Sequence, residues 1–299
     1  ASTGAVTLTW KGNWDRDNGT LTYKVLRGST VVGQVVRTAP FWQIPTLTFT
    51  DTGAPRGLTV QYRIQALDPW ANAVTSDPVN ATIPGGGPLA VDRFSRAVTG
   101  SLGTAETGGA WTVSGSNTSF AVDGSRGSIA LPAAGSSRTA LLSSVSALNL
   151  EVTVDLGMDK AASGENIFMA LMARANNASN NYRAKLVLRP AGDVQVQLTK
   201  VVAGVETSIK SAALPGVAHS SGGVYTVRFR VTGTNPTTLQ AKVWPAGGVE
   251  PLAWAVQVSD SSAGLQTAGG VGFWSYVSGS ANSTPQTVIF DNLNALPIR

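Results

Sequence analysis

Apolar residues recur along this chain at every second position, in short runs broken by turn residues. Leu148, Leu150, Val152, Val154 and Leu156 form one stripe, with Asn149, Glu151, Thr153 and Asp155 opposite. Tyr225, Val227, Phe229 and Val231 form another, opposite Thr226, Arg228 and Arg230. Similar runs occupy 119–122, 127–131, 166–174, 182–189, 193–200, 237–244, 253–259, 269–276 and 286–291. Successive side chains of a strand point to opposite faces, so this period marks half-buried strands. A 3.6-residue period is nowhere sustained for three turns; one helical turn near Asp260–Leu265 is expected. The chain is therefore expected to be all-β.

The composition agrees. Of 299 residues, 33 are Gly and 15 Pro, while charged residues make up 13%, well under the ~25% usual in soluble domains. Pro84-Gly-Gly-Gly-Pro88 can continue neither strand nor helix and reads as a linker. We expect a first domain over 1–84, a linker over 85–89 and a second domain over 90–299. The first domain offers six strands, around Val6–Trp10, Leu21–Leu26, Val31–Val36, Leu47–Phe49, Val60–Ala66 and Val79–Ile83. That is the pattern of a small β-sandwich. A dozen or more strands in the second domain fit two larger sheets packed face to face, a jelly roll.

Particular motifs resemble known families. Val6-Thr-Leu-Thr-Trp10, Leu21-Thr-Tyr-Lys-Val-Leu-Arg27, Phe49-Thr-Asp-Thr-Gly53 and Thr59-Val-Gln-Tyr-Arg-Ile-Gln-Ala-Leu-Asp68 are similar to a fibronectin type III domain. The resemblance implies core roles for Trp10 and Tyr62. It also implies a strand before Ala5, where this chain has four residues, so the first strand is expected to be missing. Asp92-Arg-Phe94, Gly108-Gly-Ala-Trp-Thr112, Leu239-Gln-Ala-Lys-Val-Trp244, Glu250-Pro-Leu-Ala-Trp254 and Phe290-Asp-Asn292 resemble the concanavalin-A-like (laminin-G-like) jelly rolls of large actinobacterial surface proteins. Trp14-Asp-Arg-Asp-Asn-Gly-Thr-Leu-Thr-Tyr23 and Phe41-Trp42 resemble the fibronectin-like domain that precedes such jelly rolls, in proteins that also carry PKD domains. Related jelly rolls occur in minor tail proteins of actinophages.

Several chemistries are excluded or disfavoured. There is no cysteine and one histidine, His219, so disulfides, thiolate zinc sites, Cys nucleophiles and His-pair metal sites are ruled out. The longest unbroken apolar run, Ile167–Ala173, is far short of the ~20 residues of a membrane helix. The chain opens Ala-Ser-Thr-Gly with no basic and apolar leader; a leader removed, or a piece of a longer protein, is expected. Lys and Arg number seven in residues 1–84 and fifteen after, against five and twelve Asp and Glu. They neither cluster nor interleave with aromatics, so nucleic-acid binding is not expected. Sugar hydrolysis needs two carboxylates about 5–10 Å apart. Glu151 and Asp155 share a strand face but lie about 13 Å apart at ~3.3 Å per residue, and read as a solvated outer face. His219, in Val217-Ala-His-Ser-Ser-Gly-Gly223, reads as an exposed loop residue.

Two candidate sites remain. Calcium binds six to eight oxygens, and related jelly rolls bring their first and last strands together, so Asp92 and Asp291 are the candidate structural calcium ligands. The competing reading has them capping turns or pairing with Arg93 and Arg96. A glycan site needs an aromatic platform and planar polar groups. Arg174, Asn176, Asn177, Asn180 and Tyr182, with Trp274 and Tyr276 approaching from another strand, are the candidates; the Asn-rich run also reads as a turn. Trp111, Trp244 and Trp254 are expected in the core, Trp42 and Trp70 exposed.

The expected function is adhesion or glycan binding by a non-enzymatic, extracellular fragment of a bacterial surface protein. The alternatives are a structural subunit of a surface filament, a phage minor tail protein, or the accessory region of a larger secreted enzyme. Self-association through the open Val6–Trp10 edge is a further expectation, with residues 294–299 as a candidate donor strand.

Overall fold

In the computed structural model the described residues are 3–40, 42–55, 58–83 and 87–298. Residues 84–86, at the end of the first domain and the start of the linker, lie outside them, as does Phe41. The chain divides into two compact units meeting between Gly87 and Pro88.

The first unit contains β1 (Thr3–Lys11), β2 (Thr20–Arg27), β3 (Thr30–Thr38), β4 (Thr46–Pro55), β5 (Thr59–Leu67), β6 (Ala73–Thr75) and β7 (Val79–Thr82). All six expected strands are present, and β6 is added. β1 pairs with β4 in a two-stranded sheet; β3, β2, β5 and β6 follow one another in a second, with β7 also on β5. The alternation of β2 buries Leu21, Tyr23 and Val25. Across the sandwich, Asp51 of β4 accepts the Tyr62 hydroxyl at 2.7 Å and pairs with Arg27 at 2.9 Å. Burial and that carboxylate push the Tyr62 phenol up to about 12. Tyr62 is core, as expected. Trp10 is half-buried instead, because β1 has a neighbour on one side only.

The second unit is a jelly-roll sandwich. Its strands are β8 (Ala90–Asp92), β9 (Ala97–Thr99), β10 (Thr112–Ser114), β11 (Phe120–Asp123), β12 (Gly127–Leu131), β13 (Ser137–Ala147), β14 (Leu150–Met158), β15 (Ile167–Asn177), β16 (Asn180–Leu188), β17 (Asp193–Val202), β18 (Val205–Ala218), β19 (Val224–Thr232), β20 (Thr237–Pro245), β21 (Val256–Asp260), β22 (Gly269–Val277) and β23 (Gln286–Pro297). One sheet runs β10-β13-β22-β15-β16-β17-β18. The other runs β21-β20-β19-β14-β23-β12-β11-β9, with β8 also on β23. The helical elements described are two single turns, Asn117–Ser119 and Ala263–Leu265. The chain is all-β, and the second turn falls where the sequence placed one.

The inner stripes of both sheets meet in a single core. At one end the rings of Phe94, Phe290, Phe273 and Trp111 follow one another with centroids 5.0, 4.5 and 5.1 Å apart. A Cβ on Gly127 would lie 2.1 Å from the Phe290 ring, so the close approach of β12 to that ring requires glycine. Trp111 and Trp244 are buried. Trp254 departs from expectation: it is half-buried, with Arg230 and Lys242 each 5.0 Å from its ring. Trp42 and Trp70 are exposed, at 74% and 69%.

Candidate functional site

The outer face of the seven-stranded sheet carries the candidate site. On β22, Val271, Phe273 and Val277 point into the core, so the period of two turns Trp274 and Tyr276 outward. On β15, Ile167, Met169 and Leu171 are core, which turns out Phe168. On β16, Ala184, Leu186 and Leu188 are core, which turns out Arg183 and Lys185. The ladder brings these together: Phe168 stands opposite Tyr276, and Ala170 lies between Trp274 and Lys185.

The result is an aromatic strip. Tyr276 stacks on Trp274 and on Phe168, each with centroids 5.9 Å apart and planes 22° from parallel. Trp274 also rests on Leu141, Met172 and Ala175, which fixes its ring. Cations lie over two of these rings: the buried Arg183 guanidinium covers Trp274, 4.3 Å from its centroid, and the Lys185 ammonium lies 5.2 Å from that of Phe168. Glu206, on β18, reaches back to Lys185 at 2.7 Å and Arg183 at 3.2 Å. Burial pulls the Arg183 guanidinium down to about 10, against the opposing pull of Glu206. Ser137, Phe168, Lys185, Glu206, Trp274 and Tyr276 line a depression of about 350 Å³. Such a surface offers the exposed parts of three half-buried rings to C–H groups, with donors and one carboxylate beside them for hydroxyls.

Of the seven candidates for glycan contact, Trp274 and Tyr276 are on this face. Arg174 and Tyr182 are not, being fully buried. A register shift in β15 and a φ of +46° break the alternation at Arg174. Its guanidinium donates to the carbonyls of Leu148, Gly233 and Leu265 and to the Thr237 hydroxyl. Tyr182 lies on the inner stripe of β16 and donates to Asp260 at 2.8 Å; burial pushes its phenol up. The asparagines build the β15–β16 turn. Asn177 accepts from the Ser179 amide, Asn180 accepts from the Ala203 amide, and Asn176 donates to Thr267. At ~3.3 Å per residue that turn is about 20 Å along β15 from Ala170, which faces Trp274. Phe168, Lys185 and Glu206 were missed. Extending the period of two from Leu186 and Leu188 back along β16 finds Arg183 and Lys185.

The cation candidates also separate. β8 and β23 do lie side by side, with Asp92 opposite Leu293. Asp92 is fully buried and its carboxylate is committed: it takes Arg96 at 2.7 and 2.8 Å, the Trp111 indole at 2.7 Å and the Phe94 amide at 2.9 Å. Asp291 instead stands opposite Asp155 on β14. Among the described residues no group of three or more His, Asp or Glu side chains could hold a metal ion. Glu151 is not on a solvated face; it is buried against Arg228 and Arg230. His219 is buried rather than exposed, accepting the Ala162 amide at Nε2, 3.1 Å away.

No protein-family model matches the sequence, and no curated protein matches it. Among solved structures the chain is similar to a Bacillus licheniformis beta-glucanase at 12% identity, covering 72% of this chain and 99% of that one, with a TM-score of 0.48. It is similar to a beta-1,3-glucanase from Mycobacterium marinum at 16% identity, covering 70% and 99%, with a TM-score of 0.45. It is similar to a legume lectin-like domain from Entamoeba histolytica at 7% identity, covering 63% and 90%, with a TM-score of 0.44. At these scores the likenesses say nothing about ligand or activity.

Proposed function

We propose that the outer face of the seven-stranded sheet binds a glycan, and that the chain works as a non-catalytic adhesion or carbohydrate-binding region of an extracellular surface protein. One observation carries this reading: three aromatic rings, Trp274, Tyr276 and Phe168, form a continuous strip beside Lys185, Arg183 and Glu206. The apolar face of a pyranose ring stacks on aromatic faces, and its hydroxyls take up the flanking charged groups. Binding is favoured over hydrolysis because the depression has one carboxylate, Glu206, tied to two cations, whereas hydrolysis uses a pair.

The test is affinity electrophoresis and calorimetry against soluble β-glucan, xylan and arabinogalactan, with reducing-sugar release measured in parallel. We expect retention on at least one polymer, with no sugar release. Tyr276→Ala and Trp274→Ala should weaken it about tenfold, and Tyr182→Phe should leave it unchanged. Retention that survives Tyr276→Ala, or no retention on any polymer, would overturn the reading.

A further inference from the structure

Asn18 is the one asparagine in the sequence that is followed by glycine, Gly19. The pair ends the loop between β1 and β2. An asparagine side-chain carbonyl carbon can be attacked by the next residue's backbone nitrogen. That ring closure is least hindered where the next residue has no Cβ.

The fold leaves the closure open at Asn18. Among the described residues the Gly19 amide has no hydrogen-bond acceptor, so its nitrogen is uncommitted. Gly19 is exposed, and a Cβ built there meets nothing nearer than 3.9 Å, so the backbone has room to turn. The Asn18 side chain makes one hydrogen bond among the described residues, from its amide nitrogen to Asp15 Oδ2 at 3.2 Å, the long end of the usual range.

The same closure is blocked at Asp123-Gly124, the one place where glycine follows an aspartate. The Asp123 carboxylate accepts the Ser125 amide at 2.9 Å, the Ser125 hydroxyl at 2.8 Å and the Arg126 amide at 3.0 Å. These donors, the Ser125 amide first, hold its pKa down to about 2. An ionised carboxylate is a poor target for a nucleophile, because oxide would have to leave. The two glycine-linked sites are thus opposite in kind.

We propose that Asn18 is a site of self-modification, where the chain converts an asparagine with water into aspartate and isoaspartate and so loosens the β1–β2 loop. The Gly19 nitrogen gives its proton to solvent base and attacks Asn18 Cγ. The N–Cγ bond forms, the Cγ–Nδ2 bond breaks and ammonia leaves, giving a succinimide. Water then opens the ring. Attack at Cγ restores the main chain as aspartate; attack at the Asn18 backbone carbonyl carbon routes the chain through Cγ as isoaspartate. One amide and one water become one carboxyl group and one ammonia, and nothing is oxidised or reduced.

Either product replaces a donor with a carboxylate. Asp15 then faces a like charge where it had accepted a hydrogen bond, and charges that close repel. Isoaspartate also puts an extra main-chain atom before Gly19. The Gly19 carbonyl accepts the Ala39 amide at 2.9 Å, beside the terminal β2–β3 pair Thr20–Thr38, so the distortion falls on that end of the ladder.

The test ages the full chain at body temperature and mildly alkaline pH. Peptide mapping by mass spectrometry, with fragmentation that separates isoaspartate from aspartate, should find Asn18 converting ahead of every other asparagine, with no isoaspartate at 123. Conversion should slow at mildly acidic pH, where the amide nitrogen is less readily deprotonated. Gly19→Ala should fold alike, because Gly19 is not left-handed and has room for a Cβ, and should slow conversion several-fold. In the converted chain, hydrogen exchange at the Ala39 amide should speed up. Another asparagine converting first, isoaspartate appearing as fast at 123, conversion unslowed by Gly19→Ala, or unchanged exchange at Ala39 would each overturn the proposal.

Discussion

Trp111 donates its indole N–H to Asp92 at 2.7 Å, and the same buried carboxylate takes both arms of Arg96. This joins the strand that opens the second unit to its aromatic core. Asp92→Asn should cost about 3 kcal/mol, because it strands Arg96 beside a buried, uncharged amide. At ~2–4 °C per kcal/mol for a unit of this size, calorimetry should show a melting temperature lower by about 10 °C. A loss under about 1 kcal/mol would contradict this role.

Arg174 is a fully buried cation whose partners are carbonyl oxygens and a hydroxyl, with no carboxylate among the described residues in hydrogen-bond contact. Burial pulls its basicity down. Arg174→Met should cost about 3–5 kcal/mol in denaturant unfolding, since several buried carbonyls lose their donor. Arg174→Lys should recover little of it, because an ammonium lacks the planar fork.

His219 is the chain's one histidine, so a single imidazole resonance reports on it. Burial lowers its pKa. The neutral form is therefore the native one: its contribution to stability is complete above the unfolded value of ~6.5 and is lost as pH falls through the lowered folded value. The resonance should titrate below pH ~6.5, and the melting temperature should fall on acidification in a way that His219→Gln flattens. A titration midpoint at or above ~6.5 would refute the assignment.

Asp291 has its pKa raised by burial, by the charge of Asp155 opposite it and by that of Asp92. A raised carboxyl favours the fold below the unfolded value of ~3.9, and that contribution is lost as pH rises through the folded value. Asp291→Asn should therefore raise the melting temperature at pH 7 by about 1–3 °C, the effect of relieving a like-charge cross-strand pair. The gain should vanish near pH 4. With Asp92 committed to Arg96 and Trp111, we expect equal melting temperatures in calcium and in excess chelator; a rise with calcium would restore the cation reading.

Much of this architecture is legible from alternation alone. β2, β14 and β19 each show a clean apolar stripe, and each is a strand at that register. β13 and β18 were missed for two reasons. Ser137–Ala147 is rich in Ser, Thr and Ala, which give weak hydrophobic contrast. Val205–Ala218 is an edge strand, largely exposed, with little need for a stripe. The site was half legible. Trp274 and Tyr276 follow from Phe273 being core, but Glu206 joins them only through pairing across β17, which no local pattern encodes. Arg174 failed because a left-handed residue at a bulge resets the face, and the sequence there offers no glycine to announce it.

β23 sits between β14 and β12 in the larger sheet and also carries β8, so the strand made last in this unit is a central one. During synthesis the ribosome must release residues 286–297 before the nine-stranded sheet can close. At ~5–20 residues per second, Pro88 waits about 10–40 s for its unit's final strand. For that interval β14 and β12 each lack a neighbour on one side, and their open edges are of the kind that recruit other strands. A premature stop before Gln286 would remove the middle of a sheet rather than trim a tail.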